Sequence, residues 1–134
     1  MMDSRTRARP APRAAVTVSA DAPPLVPAEP AIDRAHLARM THGERELERE
    51  VLALFATQAD LLLGRMRDAE PAVIGALAHT IAGSARGIGA WKVAEAAAAL
   101  EAEAAAGHDT AAAVQRLAAM ARAAQCEIAQ LVRA

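Results

Sequence analysis

The chain has 134 residues, a length that suits one domain. Its apolar fraction is 54%, but 39 residues are alanine and only Phe55 and Trp91 are aromatic, a composition better fitted to closely packed helices than to a β-sheet. With 15 basic and 16 acidic residues there is no bulk charge to hold nucleic acid, and the lone Cys126 excludes an internal disulfide and a cysteine-based zinc site.

Residues 1–30 hold six of the seven prolines and no apolar period. They read as a disordered Pro/Ala/Arg tail. Four of the first thirteen residues are arginine, but the start lacks the roughly 7–15-residue apolar core of a secretory signal. No apolar run anywhere reaches the about 18 residues of a membrane span. The expected location is the cytoplasm.

From residue 31 to 134 the pattern is that of a helical bundle. Asp33 is placed to cap a short first helix over about 34–40. Thr41 and Glu44 have the T-x-x-E spacing of a capping box, which would open a second helix there. Leu47, Val51, Leu54, Phe55, Leu62 and Met66 supply that helix with an apolar face down to about residue 68. The charged run "ERELERE" at its beginning reads as solvated.

Pro71 fits the first turn of a third helix, where its missing N–H costs nothing. That helix is expected to run to about Arg86, with Gly87 and Gly89 forming a tight connection. Trp91 or its neighbour opens a fourth helix that ends near Gly107, with Trp91 a packing plug at the bundle end or on the border of a partner's binding face. Asp109 or Thr110 caps the last helix. There Val114, Leu117, Ala121, Ala124, Ile128 and Leu131 recur at alternating spacings of three and four, a continuous seam against neighbouring helices. The expected fold is all-α: an antiparallel four-helix bundle with a short additional N-terminal helix.

The third helix carries an unusual stretch, "LAHTIAGSARGIGA", residues 77–90. At about 100° per residue, Ile74, Leu77, Ile81, Ala85 and Ile88 fall within an arc of roughly 80° and must face the core. His79 then lies about 160° from the centre of that arc and projects into solvent. Its neighbours three and four positions away are Gly75, Ala76, Ala82 and Gly83, none with a long side chain. Glycine inside a helix costs about 1 kcal/mol relative to alanine. Gly83, one turn on, gives access to the ring in return. Arg86, two turns on and within about 20° of the same direction, is placed to reach an anion held at His79. A neutral imidazole is a competent nucleophile near neutral pH and accepts a phosphoryl group without an internal base when a partner supplies metal and acid.

These residues resemble the histidine-containing phosphotransfer (HPt) domain of phosphorelay signalling, whose motif reads A-H-x-L-K-G-S-A. Ala78, His79, Ile81, Gly83, Ser84 and Ala85 match it, as do "GIGA" at 87–90 and the pair Leu100–Glu101. "VLALFATQADLLLGRM" looks like the family's second helix, with Phe55 in its usual place. The resemblance covers about residues 32–134. It implies that His79 is the phosphoacceptor and that Gly83 opens space beside it. It also implies that the partner is a response-regulator receiver domain, a hybrid sensor histidine kinase, or both. The receiver would bring the aspartate and Mg²⁺; no intrinsic cofactor is expected. The family commonly has lysine three residues after the histidine, where this chain has Ala82. Arg86 or the partner would then supply that charge.

There is no glycine-rich phosphate loop or nucleotide lid, so the expectation is a phosphocarrier intermediate rather than an autonomous kinase. A bundle that binds receivers or other helical partners without chemistry remains an open alternative. A third reading, His79 as the general base of an enzyme, finds no carboxylate or hydroxyl nucleophile placed to assist it. His36, His42 and His108 have no partners at metal-ligand spacing and read as surface residues, and Cys126 as incidental.

Overall fold

The computed structural model describes residues 29–133. The sequence-expected tail lies outside the described residues as far as residue 28. Among the described residues there are five helices and no strand: α1 (Arg34–Met40), α2 (Arg45–Arg65), α3 (Pro71–Ile88), α4 (Trp91–Ala105) and α5 (Ala111–Arg133). None of them is long and apolar enough to cross a membrane.

The helix boundaries follow local chemistry. Asp33 caps α1 by accepting from the backbone N–H of His36, and Pro71 occupies the first turn of α3. Gly107, at φ 76°, closes the end of α4. The side chain of Asp109 accepts from the N–H of Ala111 at the start of α5.

Two boundaries differ from the sequence expectation. The Thr41–Glu44 capping box does not form, because Thr41 ends α1 instead: its hydroxyl donates to the Leu37 carbonyl at 2.9 Å and is buried. His42 and Gly43, both at positive φ, then turn the chain, and α2 starts at Arg45 with no side-chain cap from Glu44. At the other end of the molecule α3 continues through Gly87 to Ile88 and stops at Gly89, whose φ is 82°. The carbonyl of Gly89 accepts from the N–H of Asp33 at 2.9 Å. A Cβ on Gly89 would sit 2.9 Å from the Asp33 oxygen, so both the dihedral and the close approach require glycine there.

The contacts close a ring: α2 packs on α3, α3 on α4, α4 on α5 and α5 on α2, with α1 laid against α3. The core runs through the ring. Its large members include Ile32, Leu37, Ile81, Val93, Leu100 and Leu117, all at most 2% exposed. Burying each such side chain contributes about 1.5–3 kcal/mol. The alanines contribute less area but let helices approach closely. On the α3–α4 seam, Ala78, Ala82 and Ala85 of α3 and Ala94 and Ala97 of α4 are buried, and a Cβ on Gly75 would touch that of Ala104 at 3.5 Å.

The α5 seam matches its sequence pattern, with Leu117, Ala121, Ala124 and Ile128 buried and Val114 and Leu131 half-buried. The α2 face does not: Leu52, Phe55, Ala59, Leu62 and Met66 are buried, whereas Leu47 and Leu54 are exposed. α2 is apolar on several sides, so periodicity alone left the choice of face to the positions of α3 and α5.

The N-terminal segment is tied down by side chains rather than by length. Both carboxylate oxygens of Glu127 accept backbone N–H groups, from Ala31 at 2.8 Å and from Ile32 at 3.2 Å. Trp91 donates through Nε1 to Asp33 at 2.9 Å, and its ring centre lies 4.9 Å from that of His36. His36 in turn contacts the Arg86 carbonyl through Nε2 at 3.0 Å; a carbonyl only accepts, so this nitrogen carries the hydrogen. Trp91 is therefore a half-exposed strut between α1 and α4 rather than a buried plug.

Candidate functional site

α3 is packed on two flanks, and this sets where His79 stands. Its buried residues are Ile74, Ala78, Ile81, Ala82, Ala85 and Ile88, an arc of about 120° rather than the narrower one expected from the large residues alone. Ala78 and Ala82 widen the arc toward one edge. Ala82 thus belongs to the buried interior, not to the exposed patch in which the spacing had placed it. Half-buried Leu77 borders the opposite edge of the arc.

His79 remains outside, with 73% of its side chain exposed, and it stands beside the α4 seam. Across the seam, Glu101 places Oε2 3.1 Å from His79 Nδ1. Gly75 meets Ala104 along the same seam. Residue numbers fall along α3 as they rise along α4, so these two helices run antiparallel. This register brings together a histidine and a glutamate 22 positions apart. Helical periodicity within one segment carries no sign of such a pair; the only signal in the sequence was the Leu100–Glu101 match to the family pattern. Glu101 is also a carboxylate beside the ring, where the sequence alone places none.

A carboxylate only accepts, so the contact to Glu101 puts the ring hydrogen of neutral His79 on Nδ1. Nε2 then holds the lone pair. The contact favours one tautomer and one orientation of the exposed imidazole, with its lone-pair nitrogen away from the carboxylate. The hydroxyl of the adjoining Thr80 donates to the Ala76 carbonyl of its own helix at 3.2 Å.

The surroundings of the ring are bare. Gly83 is exposed, and a Cβ built there would have nothing within 4 Å. An open groove of about 840 Å³ follows the α3–α4 seam, bordered by Gly75, Ala76, Ala104 and Ala105, with His79 and Glu101 at one end. Arg86 is exposed about 10 Å further along α3, on the side of His79 away from the groove.

The other sequence candidates lie elsewhere. His36 belongs to the N-terminal tie, His42 to the turn before α2, and His108 pairs with Glu103 on the surface at 3.1 Å. Cys126 is exposed on α5. Among the described residues no group of three His, Cys, Asp or Glu side chains is placed to hold a metal ion.

An exposed histidine with Nδ1 beside a carboxylate thus stands on an all-helical ring. Among protein families, the model of the Hpt domain matches residues 50–127, a span that contains both His79 and Glu101. The chain belongs to the Hpt domain family. No curated protein and no solved structure matches it.

Proposed function

We propose that this chain is a phosphorelay carrier that takes a phosphoryl group on Nε2 of His79 and exchanges it with the aspartate of a receiver domain. The observation that carries the reading is the 73%-exposed imidazole whose Nδ1 is engaged by Glu101. On acceptance, the bond between phosphorus and the aspartate oxygen breaks and one between phosphorus and Nε2 forms. The hydrogen stays on Nδ1, so the ring gains positive charge beside the Glu101 carboxylate. Return transfer reverses each change. Catalysis is then mostly alignment and charge stabilisation, with Mg²⁺ and the aspartate brought by the receiver. A hybrid sensor histidine kinase is the corresponding donor at the head of such a relay.

Within this reading Gly83 supplies steric access, and Arg86 stabilises phosphoryl charge together with cations of the partner. The ring of helix contacts is read as an antiparallel four-helix bundle of α2–α5, with α1 added at its end. Incubation with a phosphorylated receiver and Mg²⁺ tests the proposal. The wild type should acquire an acid-labile, alkali-stable label, and His79→Gln should acquire none. A label that survives His79→Gln removes His79 from the role.

One observation favours a second reading, a bundle that binds receivers without chemistry. Ala82 is a buried methyl at the position where the family commonly carries lysine, so α3 offers no cation within one turn of the ring. Receiver binding with no phosphoryl exchange in either direction would select this reading.

A further inference from the structure

Two grooves flank α3, and a receiver seated at His79 covers one of them. The groove of about 840 Å³ lies between α3 and α4. The other, of about 430 Å³, lies between α2 and α3 and is lined by Val51, Leu54, Phe55, Gln58, Ser84 and Ile88. The ring of His79 decides between them. Its Nδ1 lies 3.1 Å from Glu101 Oε2 on α4. The two nitrogens of an imidazole face nearly opposite sides of the ring, so Nε2 is turned away from α4. A partner that reaches Nε2 therefore approaches over the flank of α3 nearer α2.

That flank is apolar and low. Leu54 and Leu61 of α2 and Val73 of α3 are 69%, 54% and 49% exposed. Leu61 follows Leu54 by seven residues and shares its line along α2. Val73 precedes Ser84 by eleven residues, about three turns, and shares its line along α3. Residues 66–70 join α2 to α3, a link short enough to make them antiparallel neighbours. Leu54 is level with Ser84 and Ile88, so Leu61, two turns on, is level with residues 77–81 and hence with His79. Exposed Gly83, where a Cβ would meet nothing within 4 Å, keeps the surface beside the ring bare. Single exposed apolar residues are ordinary, but three on one flank of a reactive ring form a surface that favours a partner.

Charge points to the same partner. Arg65, one turn beyond Leu61, and Arg86 are both exposed, and their levels bracket that of His79. The exposed acids Glu46 and Glu50 lie beyond Leu54, toward the other end of α2. A receiver holds its Mg²⁺ with carboxylate oxygens and so presents an acidic rim to these cations.

We propose that a receiver domain docks on the α2–α3 face, with its acidic rim over His79 and an apolar surface against Leu54, Leu61 and Val73. The larger α3–α4 groove stays uncovered. The inference rests on the phosphotransfer reading and adds the side from which the partner comes.

The test measures binding by titration calorimetry and transfer by label exchange, with each purified receiver domain of the host and Mg²⁺. For a receiver that binds the wild type, Leu54→Glu and Leu61→Glu should each weaken affinity at least about tenfold, with helicity checked by circular dichroism. Labelling of His79 by phosphoramidate, which needs no docking, should be unchanged in both. Arg65→Glu should weaken binding about three- to tenfold at low salt and less at high salt. Ala105→Glu, an exposed change on the α3–α4 groove, should bind as the wild type does. Affinity lost in Ala105→Glu but kept in the leucine variants overturns the proposal, and so does a wild type that binds no receiver. Leucine variants that alter only the sedimentation of the chain by itself also overturn it and assign the face to a second copy. A wild type that binds without exchanging phosphoryl overturns the transfer reading alone, and the leucine variants still decide the face.

Discussion

Oε2 of Glu101 lies 3.1 Å from Nδ1 of His79, across the seam between two antiparallel helices. In the proposed transfer the carboxylate favours the tautomer with Nε2 free and faces the positive charge the ring would gain. Both partners are substantially exposed, so the contact has the strength of a surface charged pair, about 0.5–1 kcal/mol. Glu101→Ala is therefore expected to slow transfer from a phosphorylated receiver about two- to fivefold, without abolishing it. His79→Gln should eliminate it. Rapid-quench measurement of both variants checks the assignment; a Glu101→Ala protein that transfers at the wild-type rate would show that the carboxylate does not orient the ring.

Gly83 allows the proposed access role to be tested apart from stability. It lies inside α3, and an added methyl would meet nothing within 4 Å. Gly83→Ala should therefore stabilise the fold by about 0.5–1 kcal/mol, measured by urea unfolding. Gly83→Leu should also fold, but its side chain would stand one turn from His79 on the exposed surface. Transfer from a receiver should fall, whereas labelling by a small donor such as phosphoramidate, which needs no docking, should be nearly unchanged. Equal loss with both donors would mean that Gly83 does not serve partner access.

The helices were legible in the sequence because their ends are marked by local chemistry: Asp33 before α1, Pro71 at the start of α3 and Gly107 after α4. The α5 seam was legible for a similar reason, since a strict alternation of spacings admits only one buried face. α2 resisted because leucines occur around most of its circumference, and only the packing of α3 and α5 decides between Leu52 and Leu54. The capping box failed because Thr41 closes α1, and the left-handed turn at His42 and Gly43 puts the start of α2 at Arg45. Ala82 was misplaced because small residues carry little hydrophobic signal, yet here they are buried where α3 packs on α4. Glu101 required the register between two helices, which no single segment encodes.

Gly89 should be the least replaceable glycine of the α3–α4 connection. Its φ of 82° is left-handed, and a Cβ there would lie 2.9 Å from the Asp33 carbonyl oxygen and 3.0 Å from the Asp33 Cβ. Neither neighbour is the free end of a flexible side chain, so relief requires moving the backbone of the N-terminal segment. Gly89→Ala is expected to destabilise by about 1–3 kcal/mol. Gly87→Ala, where a Cβ would have open space, should be neutral or slightly stabilising. Chemical denaturation of the pair provides the comparison, and equal effects would contradict the close approach at Gly89.

Asp33 gives the N-terminal tie a defined dependence on pH. The hydrogen bond from Trp91, and then the one from the backbone N–H of His36, hold its carboxyl below the ordinary aspartate range. A carboxyl whose folded value is lowered stabilises the fold fully above its unfolded value, near 3.9, and loses that contribution as pH falls through the lowered folded value. Asp33→Ala should therefore unfold at a lower temperature than the wild type at pH 7 and by the same margin at pH 5. The margin should narrow only below about pH 4, where the wild-type carboxyl takes up its proton. Because Trp91 is the only tryptophan, its fluorescence reports on the tie directly and should change in the variant at neutral pH. A margin that stays constant or widens between pH 5 and pH 3 would show that the charged form of Asp33 does not hold the segment in place.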